Sequence, residues 1–471
     1  MTFYNYTIDK IISGGATNKD NYKKIGNLKL SVGEVFKYEL DNGIRLIEIP
    51  MNSNLFAAGI YVKVGSRDEE DEHCYGIAHF LEHMIFKGTK TKTSKEIDIL
   101  LDNLGAIYNA STSMDYTSYY LTGNPNDSND LLDLLLDLYC NPTFPEDDII
   151  NERKVVLEEW RMNMDNNKRK LIETILKNCY NDIDDDTFKR PIIGNEKTIK
   201  NFSREDIIKF RKKYTHTKTI IVIAGHYDKN KIFKLIKQYF NCDIKKINIP
   251  GYKEKIDTKI NIKNNYKKAQ IIKIKKNSNQ ANICLCFKSI NRFNKYINSV
   301  NLLSDILTSG FSSKLFDLLR NKLGVSYSCD SYYLGQNETG LFIIELGLEY
   351  SVIVNTVERI LLELKEICIN GITENELNIV KKKKETELLF DFKEPMEYVD
   401  HYGHIELHKK PYKNIVNMYN DIQNETMENI KLIANKMFRK KNLILGIIGN
   451  PKTNIITKLK KVIDNDNLYY K

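Results

Sequence analysis

Apolar and polar positions begin to alternate at Val35. Phe36 to Leu40, Ile44 to Ile49 and Leu55 to Val64 read as three strands, the first two joined by the hairpin turn Asp41-Asn42-Gly43. A helical period then runs over about 76–87, 94–103, 128–140 and 145–180, interrupted by a strand-like stretch over 108–122. Thr219 to Gly225 closes the unit as a buried strand, followed by an amphipathic helix over 229–240. From Asn241 through Pro250-Gly251 to about Lys268 the chain is polar and aperiodic, as a linker would be. After it the same order returns. Leu104-Gly-Ala106 before Tyr-rich strands has a counterpart in Leu323-Gly-Val325, and Gly225 at the end of its strand has one in Gly449. The shift from Leu104 to Leu323 nearly equals that from Gly225 to Gly449, which predicts a duplicated unit of about 220 residues. The expected class is α+β, with two homologous α/β-sandwich domains. The expected boundaries are a flexible extension over 1–34, a first domain over 35–241, a linker over 242–268 and a second domain over 269–471.

Composition narrows the function classes. With 42% hydrophobic and 28% charged residues the chain is neither disordered nor fibrous, and no apolar run approaches the roughly 20 residues that span a bilayer. The net charge of +9 is spread over Lys among Asn and Ile. The densest cluster, Lys381 to Lys384, falls on a helical stretch without interleaved aromatics, so a solvated helix face is expected and nucleic acid is not an expected partner. Eight scattered cysteines without metal-knuckle spacing read as reduced thiols, and Cys284 and Cys286 share one face of a strand. The stretch from Met1 to Glu34 has neither a secretory pattern nor an Arg-rich transit pattern, the first Arg being Arg45. A cytoplasmic or other reducing compartment is therefore expected, with the mitochondrial matrix as the alternative.

The chemistry is concentrated in Gly76-Ile-Ala-His79-Phe-Leu-Glu82-His83-Met-Ile-Phe-Lys-Gly88. At about 100° per residue, His79, Glu82 and His83 share one helix face, while Ile77, Phe80, Leu81, Met84 and Ile85 form the opposite one. Imidazoles at i and i+4 can bind one zinc ion, and the carboxylate between them can act as base toward a metal-bound water. A third ligand is needed, and Glu152 and Glu159 lie two turns apart on one face of the helix Asn151 to Trp160, among valines that make a bare carboxylate costly. A second group, His401, His404, Glu406 and His408, also falls on a helical stretch. Gly403 weakens that helix and no base has the right phase, so a polar helix face is expected there.

His79-x-x-Glu82-His83, followed well downstream by Glu159 on its own helix, resembles the pitrilysin/insulinase family of zinc metallopeptidases. The likeness extends through Leu104 to Ala110, Glu152 to Glu159 and Gly310 to Arg320. It is closest to the half-size branch that includes the mitochondrial processing peptidase β subunit and bacterial processing-peptidase-like proteins. The resemblance implies that His79, His83 and Glu159 hold one zinc ion per chain, that Glu82 activates the water, and that Glu152 orients a ligand. It also implies that Asn109 and Ala110 pair with an extended peptide substrate, and that Arg320 and Tyr327 clamp its carbonyl. Two repeats would make half of a clamshell peptidase, so a homodimer is expected, or a heterodimer with a related subunit. The alternatives are a catalytic β-like subunit that needs a different α partner and a noncatalytic scaffold of the same fold.

Overall fold

The computed structural model describes residues 22–25, 28–31, 33–180, 186–249, 257, 259–262, 268–325 and 329–470. A small hairpin, β1 (Tyr22–Ile25) and β2 (Leu28–Ser31), comes first, so part of the expected extension is paired strand. The first repeat supplies β3 (Phe36–Leu40), β4 (Arg45–Pro50), β5 (Phe56–Val62), β6 (Ile107–Thr112), β7 (Thr117–Gly123), β8 (Thr219–Gly225) and β9 (Ile244–Ile247). Its helices are α1 (Ile77–Met84), α2 (Ser94–Asn103), α3 (Ser128–Cys140), α4 (Glu146–Asp165), α5 (Asn167–Cys179), α6 (Glu196–Asn201), α7 (Arg204–Arg211) and α8 (Lys229–Phe240). The second repeat supplies β10 (Gln270–Lys275), β11 (Ala281–Ser289), β12 (Cys329–Gly335), β13 (Gly340–Leu348) and β14 (Leu443–Gly449). With them come α9 (Ile297–Thr308), α10 (Lys314–Phe316), α11 (Ile353–Asn370), α12 (Glu374–Asp391), α13 (Pro395–His408), α14 (Ile415–Gln423), α15 (Met427–Met437) and α16 (Thr453–Asp464).

The duplication is visible in the strand order. The first sheet runs β6-β7-β5-β8-β4-β3-β9 and the second runs β12-β13-β11-β14-β10, the same five-strand order without the two outer strands. Three further sequence expectations change. β9 lies inside the expected linker, because Ile244 and Ile247 continue the ladder against β3. The helical stretch over 145–180 is two helices, because the Asn166 backbone is extended and its side chain caps the second one. The stretch over 108–122 is likewise a hairpin of two strands, β6 and β7.

One face of each sheet buries its own repeat's helices. The other face is covered by a helix from the opposite repeat. Tyr398, Val399, Tyr402 and Ile405 of α13 pack on Ile47, Ala57, Tyr61, Ile220 and Val222 of the first sheet. Leu171, Ile175 and Cys179 of α5 pack on Cys284, Cys286, Ile343 and Ile444 of the second. A strand glycine gives each helix room: a Cβ on Gly59 would lie 2.7 Å from Val399, and one on Gly446 would lie 2.5 Å from Ile175.

This exchange corrects two surface assignments. The polar face of the His401 group is not open to water: Glu406 is fully buried and paired with Lys37 and Arg45, and His401 donates to the Lys413 carbonyl at 2.8 Å. Gly403 is there because the Tyr61 ring occupies the space a side chain would need. Nor is Lys381 to Lys384 simply solvated, since Lys381 donates to the carbonyls of Gln423 and Glu425 and Lys384 pairs with Asp305.

Candidate active site

The chain enters α1 through Gly76, whose φ of 97° requires the left-handed region and whose missing side chain leaves room for the Ile193 carbonyl. Sequence reasoning missed Glu69. Its buried carboxylate accepts the N–H groups of Gly76 and Ala78, both at 3.1 Å, and so caps the helix that carries the histidines. Burial pushes this carboxyl up to about 8 against the pull of those amides. No local pattern announces it, because the capping residue stands on the far side of a loop from the helix it caps.

On α1 the apolar face sinks into the first core and turns His79, Glu82 and His83 toward α4 and the β6 edge. His79 Nε2 and His83 Nε2 each lie 3.6 Å from Glu159 Oε2, too far for hydrogen bonds. One donor atom from each of these three residues lies within 4.8 Å of the others. His83 Nδ1 is 2.8 Å from Glu152 Oε1, and Lys87 Nζ is 2.9 Å from Glu152 Oε2. That bond places the His83 proton on Nδ1 and leaves the Nε2 lone pair facing His79 and Glu159.

Electrostatics act on the two imidazoles in opposite directions. Burial, reinforced by His83 and Arg169, pulls His79 down to about 3, so its imidazole is neutral, the form that binds a metal. Burial alone would depress His83, but the Glu152 hydrogen bond and the carboxylates of Glu82, Glu152 and Glu159 carry it above its ordinary value. Glu152 is also opposed by burial, yet the His83 and Lys87 contacts hold it below the usual carboxylate range. Glu82 is raised by burial, against a hydrogen bond from Thr112. Two unbonded imidazole nitrogens and a carboxylate oxygen converging on one point fit a tetrahedral zinc ion with its fourth position open.

Of the two candidate third ligands on α4, Glu159 reaches the histidine nitrogens and Glu152 reaches the far side of His83. Asn109 and Ala110 lie on β6, the free edge of the first sheet, where the Asn109 side chain accepts the Ala110 N–H at 2.8 Å. Arg320 is on the second repeat, in the π-helical turn Asp317–Lys322, with its guanidinium 5.2 Å from the centre of the Phe316 ring. It is not among the groups that converge on the histidines. Tyr327 lies outside the described residues.

Among the described residues the second repeat has no such donor set at the corresponding helix pair, α9 and α12. There Lys384 Nζ stands 2.9 Å from Asp305 Oδ2 and 2.7 Å from Glu387 Oε2, so an ammonium bridges the two carboxylates.

Comparison with known proteins agrees with this asymmetry. Residues 50–194 match the model for insulinase, peptidase family M16, and residues 201–384 match that for the peptidase M16 inactive domain. An uncharacterized zinc protease of Rickettsia bellii is 31% identical over 343 residues, 70% of this chain and 78% of that one. The uncharacterized zinc protease YmxG of Bacillus subtilis is 28% identical over 404 residues, 85% of this chain and 95% of that one. The fold is that of a protease from Helicobacter pylori, at a TM-score of 0.76 and 21% identity, covering 89% of this chain and 100% of that one.

Proposed function

The chain belongs to the insulinase family, peptidase family M16, and from that premise we propose that it is a zinc-dependent endopeptidase acting on extended or unfolded peptides. The observation that carries this reading is the convergence of His79 Nε2, His83 Nε2 and Glu159 Oε2 beside the Glu82 carboxylate. In the proposal His79, His83 and Glu159 hold the ion, which when bound supplies Lewis acidity to a water molecule and to the scissile carbonyl. Glu82, half-buried, takes the proton of that water and returns it to the leaving amine. Glu152 and Lys87 hold His83 in the tautomer that a ligand needs. The substrate lies along the free edge of β6 as an added strand, with Asn109 and Ala110 at its centre.

Arg320 stands on the second repeat, and with Tyr327 it is assigned to the oxyanion of a site completed by a second chain, in a homodimer or with a related subunit. The single-chain domain limits proposed are 35–247 and 269–471, with α5 and α13 exchanged between them. Among the described residues no helix is long and apolar enough to cross a membrane.

The test is to purify the full chain, measure zinc per chain, and follow cleavage of an unstructured fluorogenic peptide by the wild type and by Glu82→Gln. One zinc per chain, activity abolished by chelation, and a loss of about 10³-fold or more in the variant are expected. Equal activity in both proteins would overturn the assignment of the base. A zinc-free, inactive wild type would make the chain a scaffold of the same fold.

A further inference from the structure

The free edge of the first sheet does more than offer amides to a substrate. Where β6 turns into β7, the Ser113 N–H donates to the Tyr116 carbonyl at 2.8 Å. In an antiparallel ladder the direction alternates, so Thr112 and Ala110 send their N–H groups away from β7, out of the free edge. The two positions meet different groups. The Ala110 amide is held, among the described residues, by the side chain of its neighbour Asn109, which can rotate aside for an incoming strand. That of Thr112 faces the same way, and the Thr112 hydroxyl donates to Glu82 Oε2 at 2.5 Å. A side chain of the strand on which the peptide would lie thus holds the carboxylate.

We propose that Thr112 is a positioning residue for Glu82, setting the base at a fixed distance along the strand from the amide that pairs with substrate. Two residues of a strand span about 7 Å, so the register of the peptide and the place of the proton acceptor are fixed by the same piece of backbone. Without the hydroxyl the carboxylate loses that hydrogen bond and can turn about its last torsion, away from the attacking water. A displacement of about 1 Å at a reacting group costs up to roughly 100-fold in rate. The inference rests on the endopeptidase reading above but concerns a residue that the zinc motif does not contain.

The experiment compares Thr112→Val, which keeps the shape and the amide but loses the hydroxyl, with Thr112→Ser, which keeps the hydroxyl. Four quantities are measured on the full-length chain: kcat, KM, zinc per chain, and the anisotropy of a labelled peptide bound to the zinc-free protein. Expected for Thr112→Val is a kcat lower by about 10- to 100-fold, with KM, zinc content and peptide affinity unchanged, while Thr112→Ser recovers most of the rate. Wild-type kcat in Thr112→Val would overturn the proposal. So would a loss explained by missing zinc or weaker peptide binding, or a Thr112→Ser variant as slow as Thr112→Val. If wild type and Glu82→Gln behave as an enzyme and its dead variant while Thr112→Val is unaffected, the endopeptidase reading stands and only this inference falls. If the wild type cleaves nothing, both fall.

Discussion

Replacing Glu406 by Gln removes one negative charge from the buried joint between α13 and the first sheet. The Glu406 side chain is 0% exposed and that of Lys37 is 3% exposed, with Nζ 2.5 Å from Oε1. Arg45 Nη1 lies 3.0 Å from Oε2, and the Tyr412 hydroxyl donates to Oε1. At an effective dielectric of about 20, Coulomb's law gives on the order of 5–7 kcal/mol of attraction for each of the two pairs. Desolvation of the three charges cancels most of that in the wild type, so the intact cluster adds little net stability. Removing only the anion is different, because two cations then face a neutral amide in a site sealed from water, at a cost of about 3–5 kcal/mol. The assay is urea unfolding followed by Trp160, the single tryptophan of the chain, which sits on α4 of the first repeat. A Glu406→Gln midpoint that implies a loss below about 1 kcal/mol would refute the reasoning. The triple variant Lys37→Met/Arg45→Leu/Glu406→Leu, which removes all three charges, should recover most of the loss, since apolar replacement of a buried ionic cluster is often neutral or stabilising.

Three further outcomes follow from the site and the joint. Glu152→Ala should weaken zinc binding by roughly 10- to 100-fold in chelator competition, because His83 loses the partner that fixes its tautomer; unchanged affinity would show that Glu152 does not tune the ligand. Glu69→Ala should cost about 1–3 kcal/mol in thermal unfolding by stripping the α1 cap, and a neutral result would mean that water replaces the carboxylate. His408 is pulled down to about 2 by burial, then by Arg292, Lys410, His404 and Lys63, and its neutral ring accepts from Arg292 Nη1 at 2.8 Å. The unfolded ring takes up a proton near 6.5, so stability present above that value is lost as the pH falls from about 6.5 toward 2, and His408→Gln should flatten this dependence of the unfolding midpoint.

The zinc face is legible in the sequence because His79, Glu82 and His83 lie close together on one helix, where spacing alone fixes geometry. Glu159 and Glu152 are legible as a pair on one face of α4, but which of them meets Nε2 depends on how α4 packs against α1. Glu69 and Thr112 are not legible, because their partners are reached across a loop and across a strand edge. The repeat can be read from two landmarks, and the structure extends the correspondence to five strands in the same spatial order. The exchange of α5 and α13 cannot be read. Periodicity in Leu171, Ile175 and Cys179 says that a face is buried, and nothing local says that the surface beneath it belongs to the other repeat, at Cys286. For the same reason the His401 group reads as a polar helix face, and nothing local says that its helix covers the far side of the first sheet.

That exchange sets a timetable for biogenesis. The last strand of the first sheet is complete at Ile247, but the helix that covers its outer face begins at Pro395. At about 5–20 residues per second of synthesis, the nascent first half waits on the order of 7–30 s with Ile47, Ala57, Ile220 and Val222 uncovered. Its chaperone demand should therefore concentrate in that interval. The same arrangement tells how such a chain could arise: two identical copies of one ancestral unit, each lending a helix to the other, become a single polypeptide when their genes fuse, after which only one copy has to keep its chemistry.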